Sequence, residues 1–169
     1  EAHEKHFTEN VSFSTTYSST APSADHKSAA HAGRLFEKAQ QLDRAQQAYY
    51  RGGYFKEAGA VLEKMGQFKK AGETYMRAED PESAARAYEL GGDVVNSSLL
   101  RGEVAFKADR RAEAAAYFVK GQDYLRAAEL FESVGQLAEA AASFEAGESW
   151  AQAGGVYARA GLKDRAAAA

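Results

Sequence analysis

Apolar residues return along this chain every thirteen positions. A large residue, an alanine and an aromatic or leucine recur as Phe55-x2-Ala58-x3-Leu62, Phe68-x2-Ala71-x3-Tyr75, Tyr124-x2-Ala127-x3-Phe131, Leu137-x2-Ala140-x3-Phe144 and Trp150-x2-Ala153-x3-Tyr157. Extended both ways, units start at 29, 42, 55, 68, 81 and 94, then at 111, 124, 137, 150 and 163. The interval from 94 to 111 is seventeen, about one helical turn longer than the others. Positions 1, 4 and 8 of each unit fall on one face of a helix. Position 4 is Ala in ten of the eleven units, with Ser97 the exception. Position 5 is mostly small (Gly33, Gly59, Gly72, Ala85, Ala115, Ala128, Ala141, Gly154), so a neighbouring helix is expected to press close there.

The stop and start signals share the period. Position 12, or the residue beside it, is often glycine (Gly53, Gly66, Gly92, Gly121, Gly135, Gly147, Gly161), which predicts left-handed helix C-caps. Position 13 offers N-caps at Asp80, Asp93, Asp123 and Ser149, and Pro81 follows Asp80 at the first helical position, where its missing N–H costs nothing. One continuous helix is excluded: thirteen residues at ~100° each would rotate the stripe by ~220° per unit, leaving no seam. Short helices of ~16 Å that reverse at the glycines satisfy every column. The predicted fold is therefore all-α: about ten short antiparallel helices over residues 26–169, stacked as two-unit hairpins into a right-handed solenoid. Residues 1–25 fall outside the pattern. There Val11, Phe13, Thr15 and Tyr17 alternate with Ser12, Ser14 and Thr16, a strand period, and Ser18–Ser23 has linker composition, so an extended or disordered N-terminal segment is expected.

Composition supports helix, because alanine dominates and β-branched residues are scarce. The absence of cysteine excludes disulfides, thiolate nucleophiles and cysteine–zinc sites, and fits a cytoplasmic location. A net charge of −3 and a pI near 5.9 offer no general attraction to phosphate backbones. The aromatics at position 8 (Phe36, Tyr49, Tyr75, Tyr88, Phe118, Phe131, Phe144, Tyr157) are core by spacing rather than a stacking platform for bases, so no nucleic-acid partner is expected. No apolar run approaches the ~20 residues of a membrane span. The chain opens on Glu1 rather than Met and reads as a fragment or processed form of a longer protein.

Chemistry is sparse. No phosphate-binding glycine loop, His-Glu-x2-His or Gly-x-Ser-x-Gly motif occurs. The histidines (His3, His6, His26, His31) gather at one end without acidic or cysteine partners at ligand spacing and are read as tail and first-helix surface. Glu57, Glu63, Glu89, Glu113 and Glu139 occupy exposed offsets and are read as solvated faces. The expectation is a protein that is not an enzyme, with no catalytic residue, metal or cofactor.

Two local patterns carry a family resemblance. The run Ala71, Tyr75, Ala78 resembles the second helix of a tetratricopeptide repeat, and Ala58-Gly59…Leu62 and Ala71-Gly72…Tyr75 resemble its first helix. The resemblance covers residues 29–169. The uniform thirteen departs from the ~34-residue tetratricopeptide unit and is closer to the compact solenoids of vesicle adaptors. What it implies is a scaffold or adaptor that binds another protein or peptide.

Candidate contacts are the residues that periodicity leaves unexplained. On the even-numbered helices starting at 42 and 68, positions 3, 9 and 10 hold Arg44, Tyr50, Arg51, Lys70, Met76 and Arg77, types enriched at interfaces. Such a face suits an acidic or amphipathic peptide. In the long unit, Arg101 stands where an aromatic is expected, within a dense apolar run of Leu99, Leu100, Val104 and Phe106. The alternative is an assembly module stacking end to end through the truncated C-terminal unit from Lys163, or a regulatory repeat domain within a larger protein.

Overall fold

A computed structural model of the protein describes residues 24–166. The expected strand from Val11 to Tyr17 and the linker from Ser18 to Ser23 lie outside the described residues. Within them the chain is a run of helices: α1 (Ala24–Lys38), α2 (Leu42–Arg51), α3 (Phe55–Lys64), α4 (Phe68–Arg77), α5 (Pro81–Leu90), α6 (Val94–Lys107), α7 (Arg111–Lys120), α8 (Tyr124–Ser133), α9 (Leu137–Ala146), α10 (Trp150–Arg159) and the short α11 (Lys163–Ala166). No strand occurs among the described residues. From α2 onward every helix begins at a predicted unit start, and each of α2–α5 and α7–α10 is ten residues long. The seventeen-residue unit is one helix of 14 residues, α6. Helices pack in sequence order, each on its predecessor and successor, which makes the array an all-α, solenoid-like repeat.

Three residues join each helix to the next, and none is spare. The middle one is left-handed at every turn: Gln40, Gly53, Gly66, Glu79, Gly92, Asp109, Gln122, Gly135, Glu148 and Gly161, with φ from +54° to +78°. Its N–H donates to the carbonyl three residues back, and the next N–H to the carbonyl five back. At the first glycine turn these bonds are Gly53 to Tyr50 (3.1 Å) and Tyr54 to Tyr49 (2.9 Å), and the pair recurs at all the turns. The third residue is already the N-cap of the following helix; the Tyr54 carbonyl, for instance, accepts from the Ala58 N–H at 2.9 Å. Ten helical residues and three turn residues account for the period of thirteen. Asp80, Asp93 and Asp123 add side-chain caps to the N–H groups of Ser83, Asn96 and Arg126. Ser149, expected to do the same, makes no such cap; its hydroxyl turns back to the Gly147 carbonyl at 3.5 Å.

The glycines near the turns do two jobs, and only one was the expected job. Gly121 and Gly147 are right-handed C-caps at φ −81° and −89°; the left-handed residues there are Gln122 and Glu148. At Gly52, Gly91 and Gly147, position 11 is glycine for want of space. A Cβ at Gly52 would lie 2.5 Å from the Ala29 Cβ, one at Gly91 2.9 Å from the Phe68 Cβ, and one at Gly147 3.1 Å from the Tyr124 Cβ. Ala29, Phe68 and Tyr124 are position 1 of the preceding units, so the end of each helix lies against the start of the one before. Neighbours are therefore antiparallel.

The body of each contact is a ring laid over a small residue. A Cβ on Gly33, Gly59, Gly72 or Gly102 would fall 2.5–2.9 Å from the ring of Tyr49, Tyr75, Tyr88 or Phe118, in each pair sixteen residues further on. The alanines at position 4 complete the seam: Ala45, Ala58, Ala71, Ala84, Ala114, Ala127, Ala140 and Ala153 are all 0% exposed. The predicted core aromatics are buried, except Phe36 on α1, which is half-buried. Ala→Leu at 71, 127 or 140 should overpack the seam and lower stability by ~1–3 kcal/mol in denaturant melts; unchanged melts would refute the close approach. The turns generate a second expectation. Gln122→Gly and Glu148→Gly should each raise stability by about 1 kcal/mol, because a side chain is strained at φ +62° and +57°. Gly66→Ala, where a Cβ meets nothing within 4 Å, should lower it by a similar amount through φ alone. Urea midpoints that do not move in these directions would show that the turns tolerate a Cβ.

Candidate partner-binding surface

Position 9, near the C-terminal end of each helix, faces two neighbours at once. On α1 it is Glu37, which accepts from the Tyr49 hydroxyl of α2 at 2.7 Å and from Lys64 of α3 at 2.7 Å. The Lys64 hydrogen bond holds the Glu37 carboxyl below the usual range, against the opposing effect of burial. Burial first, then the Glu37 carboxylate, push the Tyr49 hydroxyl up to about 12. The spacings repeat. Tyr157 donates to Glu145 at 2.7 Å across twelve residues, and Arg159 pairs with Glu132 across twenty-seven. Other pairs also tie each helix to the next but one: Arg86 with Glu63 (3.1 Å), Lys56 with Asp80 (3.0 Å), and Arg126 with Glu103 (2.6 Å). Even helices thus form one layer and odd helices another, each laced by acid–base pairs.

Between α2 and α4 the lacing changes chemistry. The residues twenty-seven apart are Tyr50 and Arg77, and the guanidinium lies 5.4 Å from the ring centroid. Tyr50 is also edge-on to Phe55, with centroids 5.3 Å apart and planes at 76°. No carboxylate closes the charge. Arg77 and the neighbouring Arg51 make no ion pair among the described residues. Arg77, Tyr54, Phe55 and Lys56, together with the carboxylates Glu57 and Glu79, wall an open groove of about 340 Å³ between the α2–α3 and α4–α5 turns. Met76, 38% exposed, stands beside Arg77 in the chain.

The sequence-predicted contacts therefore divide. Tyr50 and Arg77 touch, and Arg51 and Met76 adjoin them at the same ends of α2 and α4. Arg44 and Lys70 are two turns away, ~10 Å along the same helices. There Arg44 donates to Gln41 (3.1 Å) with its guanidinium 5.9 Å from the Phe36 centroid, and Lys70 donates to Gln67 (3.0 Å). Neither has a carboxylate partner among the described residues. Arg101 is elsewhere, half-buried on α6 and ion-paired with Glu89 of α5. It occupies the aromatic's position, sixteen residues after Ala85, and bonds twelve residues back as Tyr49 and Tyr157 do. Tyr54 is absent from the sequence-predicted contacts and Phe55 enters the sequence only as a repeat position; an aromatic N-cap followed by an aromatic at position 1 is the signal that marks them.

Among the described residues no group of three His, Cys, Asp or Glu side chains is arranged to hold a metal ion, and no helix is long and apolar enough to cross a membrane. His26 bonds through Nδ1 to the Gly52 carbonyl at 2.7 Å. No protein-family model matches the sequence, and no curated protein is detectably similar to it.

Asp80 stands behind the groove. It caps α5 through the Ser83 N–H and receives Lys56 from the groove wall. The Ser83 N–H is the main reason its carboxyl lies below the ordinary 3.8, with Lys56 adding to it. A lowered pKa means that stabilisation is complete above the unfolded value and is lost as pH falls through the folded one. Asp80→Ala should cost about 1 kcal/mol at neutral pH. The difference from the parent should vanish in melts well below pH 3.8; a constant difference at all pH values would remove Asp80 from that role.

Proposed function

We propose that the protein is a non-catalytic, tetratricopeptide-like interaction scaffold that holds an acidic segment of another protein against the C-terminal ends of α2 and α4. The observation that carries this reading is the pair Tyr50–Arg77, which occupies the position taken by Glu37–Lys64 and Glu132–Arg159 in other helix pairs. At those two places the cation is neutralised within the array. At α2–α4 it rests on an aromatic face, with Arg51 beside it and a groove open between the turns. A guanidinium stacked on a ring keeps its edge N–H groups for an incoming carboxylate. Tyr50, Phe55 and Met76 supply apolar area around it. The chemistry suits a peptide that alternates carboxylates with apolar side chains.

The test is charge reversal. Arg51→Glu with Arg77→Glu removes two attractions and adds two repulsions, each worth ~0.2–1 kcal/mol at an exposed site. The dissociation constant for a labelled Glu/Leu peptide, followed by anisotropy, should therefore rise by at least about fourfold. Parent affinity should also fall between 0.1 M and 1 M salt, as the screening length shrinks from about 10 Å to about 3 Å. An unchanged affinity in a variant that melts like the parent would discard this surface.

A further inference from the structure

The long helix α6 continues the surface, by a route that its register conceals. Counted from its start, positions 9 and 10 are Gly102 and Glu103. Neither is available: a Cβ on Gly102 would lie 2.7 Å from the Phe118 ring, and Glu103 is paired with Arg126 of α8 at 2.6 Å. Counted back from its end, the same positions are Phe106 and Lys107. Phe106 is 46% exposed, and Lys107 makes no ion pair among the described residues. The extra turn thus restores, ~6 Å further along the helix axis, the couplet of apolar residue then cation found at Tyr50–Arg51 and Met76–Arg77. Three successive members of the even layer end alike. The series stops at α8, where position 9 is Glu132, already paired with Arg159.

We infer that Tyr50, Met76 and Phe106, flanked by Arg51, Arg77 and Lys107, form one three-rung ladder that takes an acidic amphipathic helix lying across α2, α4 and α6. This rests on the function proposed above and specifies the partner's shape. One helix diameter with side chains, ~10–12 Å, sets the rung spacing within a layer, and apolar residues seven apart on a helix are ~10.5 Å apart. A partner with apolar side chains at i, i+7 and i+14 therefore meets one rung with each. A row of Glu along one flank of that stripe faces the three cations. At α8 the cation is already taken up by Glu132, so the acidic row finds no partner there, which limits the bound segment to about four turns.

The test uses an 18-residue synthetic peptide with Leu at i, i+7 and i+14 and a flanking Glu row, beside a scrambled peptide of the same composition. Binding to the full chain is followed by fluorescence anisotropy, with a melt of each variant. The ordered peptide should bind tighter than the scrambled one. Phe106→Ser with Lys107→Glu should weaken it by at least about fivefold, and Leu125→Ser, an exposed apolar change on α8 away from the ladder, should not. If Phe106→Ser/Lys107→Glu binds like the parent while Arg51→Glu/Arg77→Glu does not, the third rung is overturned and the proposed function stands. If neither pair of changes affects binding, or neither peptide binds the parent, the proposed function falls and the ladder with it.

Discussion

A turn of three residues, with its middle residue left-handed, leaves no slack between one helix and the next, and the rest of the structure follows from that. Each turn residue is fixed by hydrogen bonds on both sides, as the C-cap, the left-handed residue and the N-cap. Helix length alone then decides where the next helix begins and which face it presents. Ten residues bring position 8 of one helix over position 5 of the helix before it, and the small residues there let the ring settle at contact distance. Had the turns been longer and flexible, neither the thirteen-residue period nor the i to i+16 contact would be needed.

The same constraint explains the length of α6. An insertion that keeps both flanking contacts must return the helical faces nearly to register, and four residues advance ~400°, one turn and a small remainder. Ser97 and Ser98 near the start of α6 and Gly102 and Ala105 near its end are all buried, so the helix carries two frames, one packed on α5 and the other on α7. Only in the second frame do Phe106 and Lys107 fall at positions 9 and 10. That is why they were not legible as members of the candidate surface: each unit was read from its start, and in this unit the start and the end disagree by a turn.

Legibility elsewhere divides along similar lines. Helix starts, the alanine seam and the buried rings were visible because each depends on neighbours within one unit and repeats several times. Whatever depended on the next helix was hidden until the turns were known. Gly121 and Gly147 read as left-handed C-caps, whereas a Cβ on either would crowd the helix before, at Leu99 and at Tyr124. The Tyr–Glu bonds across twelve residues and the pairs across twenty-seven are invisible to a period of thirteen read one unit at a time. Ser149 has the composition of a cap and does not cap; its hydroxyl donates to the Gly147 carbonyl in the preceding turn. Of the candidate contacts, the α2 and α4 residues were legible as oddities, but Arg101 was legible only as the wrong residue type. Its pairing with Glu89 ties it to the packing of α6 on α5.

Positions 9 and 10 are a place where this architecture can keep or release the ties between helices of one layer. Exposed ion pairs contribute little individually, and the seam of alanines and rings already fixes the helices. A solenoid of this kind can therefore leave some of its lacing open without losing its fold. Where position 9 is glutamate, as on α1 and α8, the cation two helices on is neutralised and the surface there is closed. Where it is Tyr50, the cation stacks on the ring and its charge remains unmet. Changing one column from acid to apolar thus removes an internal tie and leaves a cation unmet, while leaving the buried columns untouched. A repeat array can in this way place a binding surface on chosen helices by altering residues that its core does not use.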